Sequence, residues 1–206
     1  MSEIEESDTG SVCSASAKRL ITLQQLWSQI IEDWRAHERD WTRPGFRAVA
    51  VHRFGVWRMQ IQHRVLRAPL SAVYKLLFRY IRNHYGIELP YTVMLGRRVI
   101  IEHQHGIVIH AYASIGDDCI VRQGVTIGNR YMDRPRDAPK LGCRVNIGAG
   151  AKLLGDITIG DDVNIGANSV VLHSVQSSQT VAGIPAKVIK PTVVIPKWEV
   201  SHRLSR

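Results

Sequence analysis

The chain has 206 residues, 27 Lys and Arg against 18 Asp and Glu for a formal net charge of +9, and 45% hydrophobic content. That length holds one sizeable core or two small domains. No apolar run approaches the roughly eighteen residues of a membrane-crossing helix, and the opening Ser2-Glu3-Ile4-Glu5-Glu6-Ser7-Asp8 lacks the basic-then-apolar order of a secretory leader.

A cytoplasmic location is therefore expected. The positive excess favours anionic partners without choosing among them. No nucleic-acid-binding motif accompanies it, so nucleic acid is not an expected partner. Cys13, Cys119 and Cys143 are too widely spaced for a metal-ligand pair, and the last two are expected at small core positions.

In chain order, residues 1–17 read as a disordered tail rich in Ser, Glu and Ala. Residues 18–85 read as a helical domain. Leu23, Leu26, Trp27, Ile30, Ile31 and Trp34 share one face at helical spacing, and Trp27, Trp34 and Trp57 are expected in the core. A break falls at Thr42-Arg43-Pro44-Gly45, and one or two helices follow over 46–85, interrupted near Pro69. Arg43, Arg47, Arg53, Arg58, Arg64, Arg67, Lys75, Arg79 and Arg82 punctuate this stretch. They are compatible with peripheral association at an inner membrane surface, although packing on the next domain is the simpler expectation.

From Gly86 the pattern changes. Aliphatic residues recur at every sixth position: Leu89, Leu95, Ile101; Ile109, Ile115, Val121, Ile127; Leu141, Ile147, Leu153, Ile159, Ile165, Val171. A period of six is neither the 3.6 of a helix nor the simple alternation of a strand. It fits a triangular solenoid over 86–190 in which each unit supplies one short strand and one corner. The register slips at Glu102-His103-Gln104-His105-Gly106 and again across Gly128 to Lys140. Solenoids put insertions on one face, often the binding face. Residues 191–206 form a C-terminal extension.

The segments Glu102-His103-Gln104-His105-Gly106-Ile107-Val108, Gly124-Val125-Thr126-Ile127-Gly128, Ile147-Gly148-Ala149-Gly150-Ala151-Lys152 and Val181-Ala182-Gly183-Ile184-Pro185-Ala186 resemble the hexapeptide-repeat acyltransferases. Within that group they are most similar to serine acetyltransferases, over roughly Gly86 to Lys190, with a weaker echo at Glu38-Arg39-Asp40 and Pro44-Gly45-Phe46. The resemblance implies a mixed fold, an N-terminal α-helical domain followed by a left-handed parallel β-helix. It also implies a homotrimer with sites between neighbouring solenoids (pairing of trimers into a hexamer is left open) and acetyl-CoA as cosubstrate, with no metal.

His103 matches the catalytic histidine of that group. A histidine of near-neutral pKa can take the proton of an attacking hydroxyl, a contribution of about a hundred- to ten-thousand-fold. Glu88 matches the carboxylate that orients the imidazole, and Glu102 one that holds the amino group of serine. Thr126, Gly128, Gly148, Ala149, Ala151, Ala167 and Lys187 fall in segments that contact the cofactor in relatives, and Lys152 is a further candidate for a cofactor phosphate.

One departure bears on the acceptor. The resemblance implies an Arg-His pair in the long loop, but this chain has Asp137 and Ala138 before Pro139-Lys140-Leu141, with Arg130, Arg134 and Arg136 nearby. A carboxylate facing the carboxylate of serine would repel it, and a lost charged contact costs about 2–5 kcal/mol. Similarity to acetyltransferases of bacterial exopolysaccharide gene sets then makes a saccharide hydroxyl the expected acceptor. L-serine, giving O-acetyl-L-serine for cysteine synthesis, is the alternative. A more distant reading is a gamma-type zinc carbonic anhydrase, for which His105 and His110 have suitable spacing but no third histidine lies two coils upstream.

Overall fold

The structure is a computed structural model that describes residues 22–191. The expected tail at 1–17 and residues 192–206 of the expected extension lie outside the described residues. Three helices come first: α1 (Leu23–Ala36), α2 (Pro44–Arg58) and α3 (Arg64–Tyr85). α1 starts in a capping box, with Thr22 Oγ1 accepting from the Gln25 N–H at 3.2 Å and Gln25 Oε1 accepting from the Thr22 N–H at 2.9 Å. α2 opens on Pro44, whose missing N–H is no loss in a first turn. α3 ends at Gly86 with φ +61°, the left-handed position that turns the chain into the solenoid.

Pro69 does not break a helix. It lies within α3, and the interruption falls at Met59–His63 instead. The ring sits only a turn inside the helix, so the loss is confined to a bond to the Val65 carbonyl, in a turn exposed to solvent.

Fifteen strands follow: β1 (Ile87–Glu88), β2 (Met94–Leu95), β3 (Ile100–Ile101), β4 (Ile107–Ile109), β5 (Ser114–Ile115), β6 (Ile120–Val121), β7 (Thr126–Gly128), β8 (Lys140–Leu141), β9 (Asn146–Ile147), β10 (Lys152–Leu154), β11 (Thr158–Ile159), β12 (Asn164–Ile165), β13 (Val170–Val171), β14 (Gln179–Ala182) and β15 (Lys187–Pro191). They form three flat faces: β1-β4-β7-β10-β13, β2-β5-β8-β11 and β3-β6-β9-β12-β14-β15. We call these the first, second and third face. Every pairing is parallel except β14 with β15, and the whole is a left-handed parallel β-helix.

The hexad accounts for this shape. Ile147 stands opposite Ile165, three hexads further on, and Leu153 opposite Val171. The repeating aliphatics point inward and are buried, with Leu95 packed at the margin. The residue two places before each also points inward: Ile87, Val93, Val99, Ile107, Ala113, Cys119, Val125, Val145, Ala151, Ile157, Val163 and Ser169 are all buried. Strand alternation thus operates inside each hexad. A Cβ on Gly116 would sit 2.4 Å from the Gly142 carbonyl oxygen of the next coil, which explains a glycine at that corner.

The helices close the N-terminal end of the solenoid, where β1, β2 and β3 would otherwise present unpaired strand edges. They do so with polar groups. The Ile101 N–H donates to His37 Nε2 at 3.2 Å, and His37 Nδ1 donates to the Asp33 carbonyl at 2.7 Å. His52 Nε2 donates to the Val93 carbonyl at 3.0 Å. Arg53 donates to the carbonyls of Leu95 at 2.8 Å and Gly96 at 2.5 Å, and its Nε pairs with Asp33 Oδ2 at 2.9 Å. Asp33 Oδ1 accepts from the Arg98 N–H at 3.2 Å.

The buried side of α1 is therefore Leu26, Asp33 and His37, whereas Leu23, Trp27 and Ile31 of the expected apolar face are exposed. Trp27 is not a core residue, and Trp34 and Trp57 are half-buried. Satisfying strand-edge groups outweighs burying the aromatic stripe, because each orphaned buried polar group costs about 1–3 kcal/mol.

This cap predicts an acid-sensitive fold. Burial pushes the His52 imidazole down to about 3, helped by Arg53, and burial also lowers His37. The unfolded chain takes up a proton near pH 6.5, the folded His52 only near 3, so stability is full above about 6.5 and falls as pH drops through that window. His52 alone should remove about 2 kcal/mol at pH 5. Chemical denaturation at pH 7.5 and pH 5 tests this, with His52→Gln expected to flatten the dependence. A stability that does not change over that range would refute it.

Candidate active site

The corner between the third and first faces carries His103 and Glu102. Successive coils place Glu102–Gly106, Arg122–Gly124, Gly148–Gly150 and Gly166–Asn168 there, one above another. Backbone bonds join them: the Gly124 N–H donates to the His105 carbonyl at 2.9 Å, the Gly150 N–H to Gln123 at 2.8 Å, and the Asn168 N–H to Ala149 at 2.8 Å. His105, Gly106, Gly124, Gly150 and Asn168 all take positive φ at this edge. The edge is consequently narrow and small, with room for an extended ligand alongside it.

At its N-terminal end a shallow cleft is lined by Pro44, Glu102, His103, Gln104 and Gln123. The register slip at 102–106 is what lifts the His103 imidazole out of the coil, and the side chain is exposed. Pro44, at the start of α2, forms the opposite wall. α2 is seated tightly here: a Cβ on Gly45 would lie 2.0 Å from the Ile101 carbonyl oxygen.

Glu102 shares the cleft, but it is already paired: Arg122 Nε lies 2.5 Å from Glu102 Oε2. Glu88 lies on the outer side of β1, opposite Val108, and is half-buried. No hydrogen bond or ion pair joins Glu88 to His103 among the described residues. The two are not brought together within one chain.

The expected cofactor residues divide. Ala149 and Ala167 stand on the same edge as His103, and Thr126 and Gly128 lie on β7 of the adjoining first face. Lys152 Nζ donates to the Gly124 carbonyl at 2.5 Å and to Thr126 Oγ1 at 3.2 Å, so it braces the wall beside that edge. Gly148 holds the corner, where a Cβ would meet the Ala167 nitrogen at 2.5 Å. Ala151 is fully buried, its methyl turned into the coil and its N–H and carbonyl used by Gly148 and Thr126. It offers no surface to a ligand, because its place two residues before Leu153 is an inward one. Lys187 is exposed on β15.

The long loop leaves from the other end of the first face, between β7 and β8. Arg130, Arg134 and Arg136 are exposed there; the guanidinium groups of Arg130 and Arg134 lie 5.1 and 5.9 Å from the Tyr131 ring. Asp137 is half-buried, and its N–H donates to the Arg134 carbonyl at 3.2 Å. None of these residues lines the cleft of its own His103.

Two other chemistries find little support in the geometry. Burial pushes the Cys119 thiol up to about 12, which disfavours a thiolate nucleophile. Among the described residues no group of three or more His, Cys, Asp or Glu is placed to hold a metal. Residues 138–173 match the family model described as bacterial transferase hexapeptide (six repeats).

A serine acetyltransferase of Staphylococcus xylosus is 43% identical over 135 residues, 66% of this chain and 62% of that protein. One from Staphylococcus aureus (strain N315) is 41% identical over 148 residues, 72% of this chain and 70% of the relative. This chain belongs to the serine acetyltransferase family.

The crystal structure of the Brucella abortus strain S19 serine acetyltransferase in complex with coenzyme A superimposes with a TM-score of 0.68 at 29% identity, covering 81% of this chain and 68% of that one. The chain spans less than two thirds of the S. xylosus relative's length.

Family membership overturns the saccharide acceptor: relatives at 41–43% identity are named serine acetyltransferases, which favours L-serine. The expectation of a sugar depends on Asp137 facing the acceptor. Within one chain Asp137 lies on a different corner from His103 and is half-buried, with its N–H donating to the Arg134 carbonyl at 3.2 Å.

Arg122 and Gln123 escaped the sequence reading, as did the contribution of Pro44 and Gln104 to the cleft walls. A signal for Arg122 existed: it follows Val121 as Glu102 follows Ile101, and those two aliphatics stand opposite each other in β6 and β3. Opposite charges at one hexad position in adjacent coils are neighbours in space.

Proposed function

We propose that this chain is a serine O-acetyltransferase that moves an acetyl group from acetyl-CoA to the hydroxyl of L-serine, with His103 as general base. The observation that carries the reading is an exposed imidazole beside a carboxylate in the cleft at the head of a narrow solenoid edge, in a chain of this family. His103 removes the hydroxyl proton as the oxygen attacks the thioester carbonyl. When the tetrahedral intermediate collapses the imidazolium returns that proton to the departing sulfur, so coenzyme A leaves as the thiol and the imidazole is neutral again. Holding both substrates in line along the edge makes a covalent enzyme intermediate unnecessary.

Acetyl-CoA extends from the cleft along Ala149 and Ala167, with Thr126, Gly128 and Gly148 shaping the wall and Lys187 near its far end. The β7–β8 loop and the His103 cleft occupy different edges of one solenoid, so a site that uses both requires two copies. A homotrimer provides three such sites, and a cytoplasmic enzyme of soluble substrates fits this arrangement.

The test is thiol release from acetyl-CoA by the purified full chain, with L-serine and with a panel of sugars and nucleotide sugars. Serine-dependent release at saturable concentrations is expected. Release with a sugar and none with serine contradicts the proposal.

A further inference from the structure

An α-amino acid carries its ammonium and carboxylate on one carbon, a few ångströms apart. A site that holds such an acceptor against an imidazole therefore needs both signs of charge at comparable separation. Glu102 supplies the negative one in the His103 cleft. The positive one stands next to it: Arg122 Nε lies 2.5 Å from Glu102 Oε2, and the two side chains are 27% and 36% exposed, so the pair is open to exchange partners with a ligand.

Arg122 is also held from behind. Its Nη1 donates to Asn146 Oδ1 at 2.5 Å and to the Ile147 carbonyl at 3.3 Å, and Asn146 Nδ2 in turn donates to Asn164 Oδ1 at 3.1 Å. This row of side chains from successive coils anchors one edge of the guanidinium, while Nη2 makes no hydrogen bond with a described residue. Other cations near the cleft and its wall are committed. Arg43 pairs with Glu38, Arg47 donates to the Tyr85 hydroxyl and the Trp41 carbonyl, and Lys152 braces Gly124 and Thr126.

We infer that Arg122 reads the carboxylate of the acceptor, working beside Glu102 as a two-sign clamp for a zwitterionic amino acid. The inference rests on the serine reading above. When the acceptor enters, its ammonium takes the Glu102 carboxylate and its carboxylate takes the Arg122 guanidinium, so one internal ion pair becomes two. This orients the third substituent, the hydroxymethyl, toward His103. The role assigned to Arg122 is binding and specificity, without proton transfer.

Steady-state kinetics of the full chain with L-serine and with L-serinamide, which lacks the carboxylate, tests this. Wild type should prefer serine, and Arg122→Gln, which keeps hydrogen bonding but loses charge, should raise the KM for serine by about ten- to a hundredfold. The KM for acetyl-CoA and the kinetics with serinamide should stay within about threefold, so that the serine preference collapses. Arg122→Lys should retain most of that preference.

A merely structural role would slow both acceptors together and lower the melting temperature, and that result overturns the inference. So does an unchanged serine preference in Arg122→Gln, or its collapse in Arg130→Ala, Arg134→Ala or Arg136→Ala instead. Wild type that turns over no serine at all defeats the serine reading itself, and the clamp with it; active wild type with an indifferent Arg122 defeats only the clamp.

Discussion

Replacing His103 by alanine should lower kcat for serine acetylation by about two to four orders of magnitude. The side chain is exposed and makes no hydrogen bond or ion pair among the described residues, so its removal leaves the coil intact. The loss should fall on kcat, because in the proposed mechanism the imidazole acts on the hydroxyl proton in the transition state and contributes little to holding either substrate. Acetyl-CoA affinity should be nearly unchanged, since the proposed cofactor edge begins at His103 and runs away from it. Stopped-time thiol assays and calorimetric titration of coenzyme A separate the two quantities. A mutant that turns over within a few-fold of wild type removes His103 from the mechanism, and a mutant that also loses coenzyme A binding shows that the residue shapes the cleft instead.

The second large effect concerns the cap. Arg53→Met should destabilise the fold by about 3–5 kcal/mol, because removing one partner of a buried ion pair leaves the other charge uncompensated. Asp33 and Arg53 are 1% and 7% exposed. The guanidinium also satisfies the Leu95 and Gly96 carbonyls, which would be left facing an apolar thioether. Asp33 retains the Arg98 N–H, which offsets part of the loss. Urea titration at pH 7.5 measures the change. The double variant Asp33→Asn/Arg53→Met should cost less than the sum of the single changes, as expected for groups in one network. A loss under about 1 kcal/mol in Arg53→Met would mean that the helices do not close the solenoid through this pair.

The solenoid was legible in the residues alone. In a repeat of six, each position has one environment, inward, outward or corner, whatever the rest of the molecule does. Ile147 and Ile165 therefore announce the fold by their spacing, and the interruption at 102–106 announces that His103 leaves the coil. The helical segment followed a rule that fails there. An apolar face predicts burial only when water is the alternative to a hydrophobic neighbour, and α1 instead meets the open edge of a β-sheet. That edge demands hydrogen-bonding groups, so Asp33 and His37 go inside while Trp27 stays out.

Pairings across coils are the other part that the chain order conceals. Arg122 and Glu102 are distant in sequence and adjacent in space, and Asp137 is near His103 only in the sense that both belong to loops. Sequence by itself determined the three-sided coil, the family resemblance and the identity of the exposed imidazole, because each follows from local spacing. The tertiary structure alone decided which polar side chains close the end of the coil, which cation pairs with the Glu102 carboxylate, and that the long loop leaves from another corner of the same chain. Those outcomes depend on which strand stacks on which and on the unpaired backbone groups left at the first coil, neither of which is encoded in any single repeat.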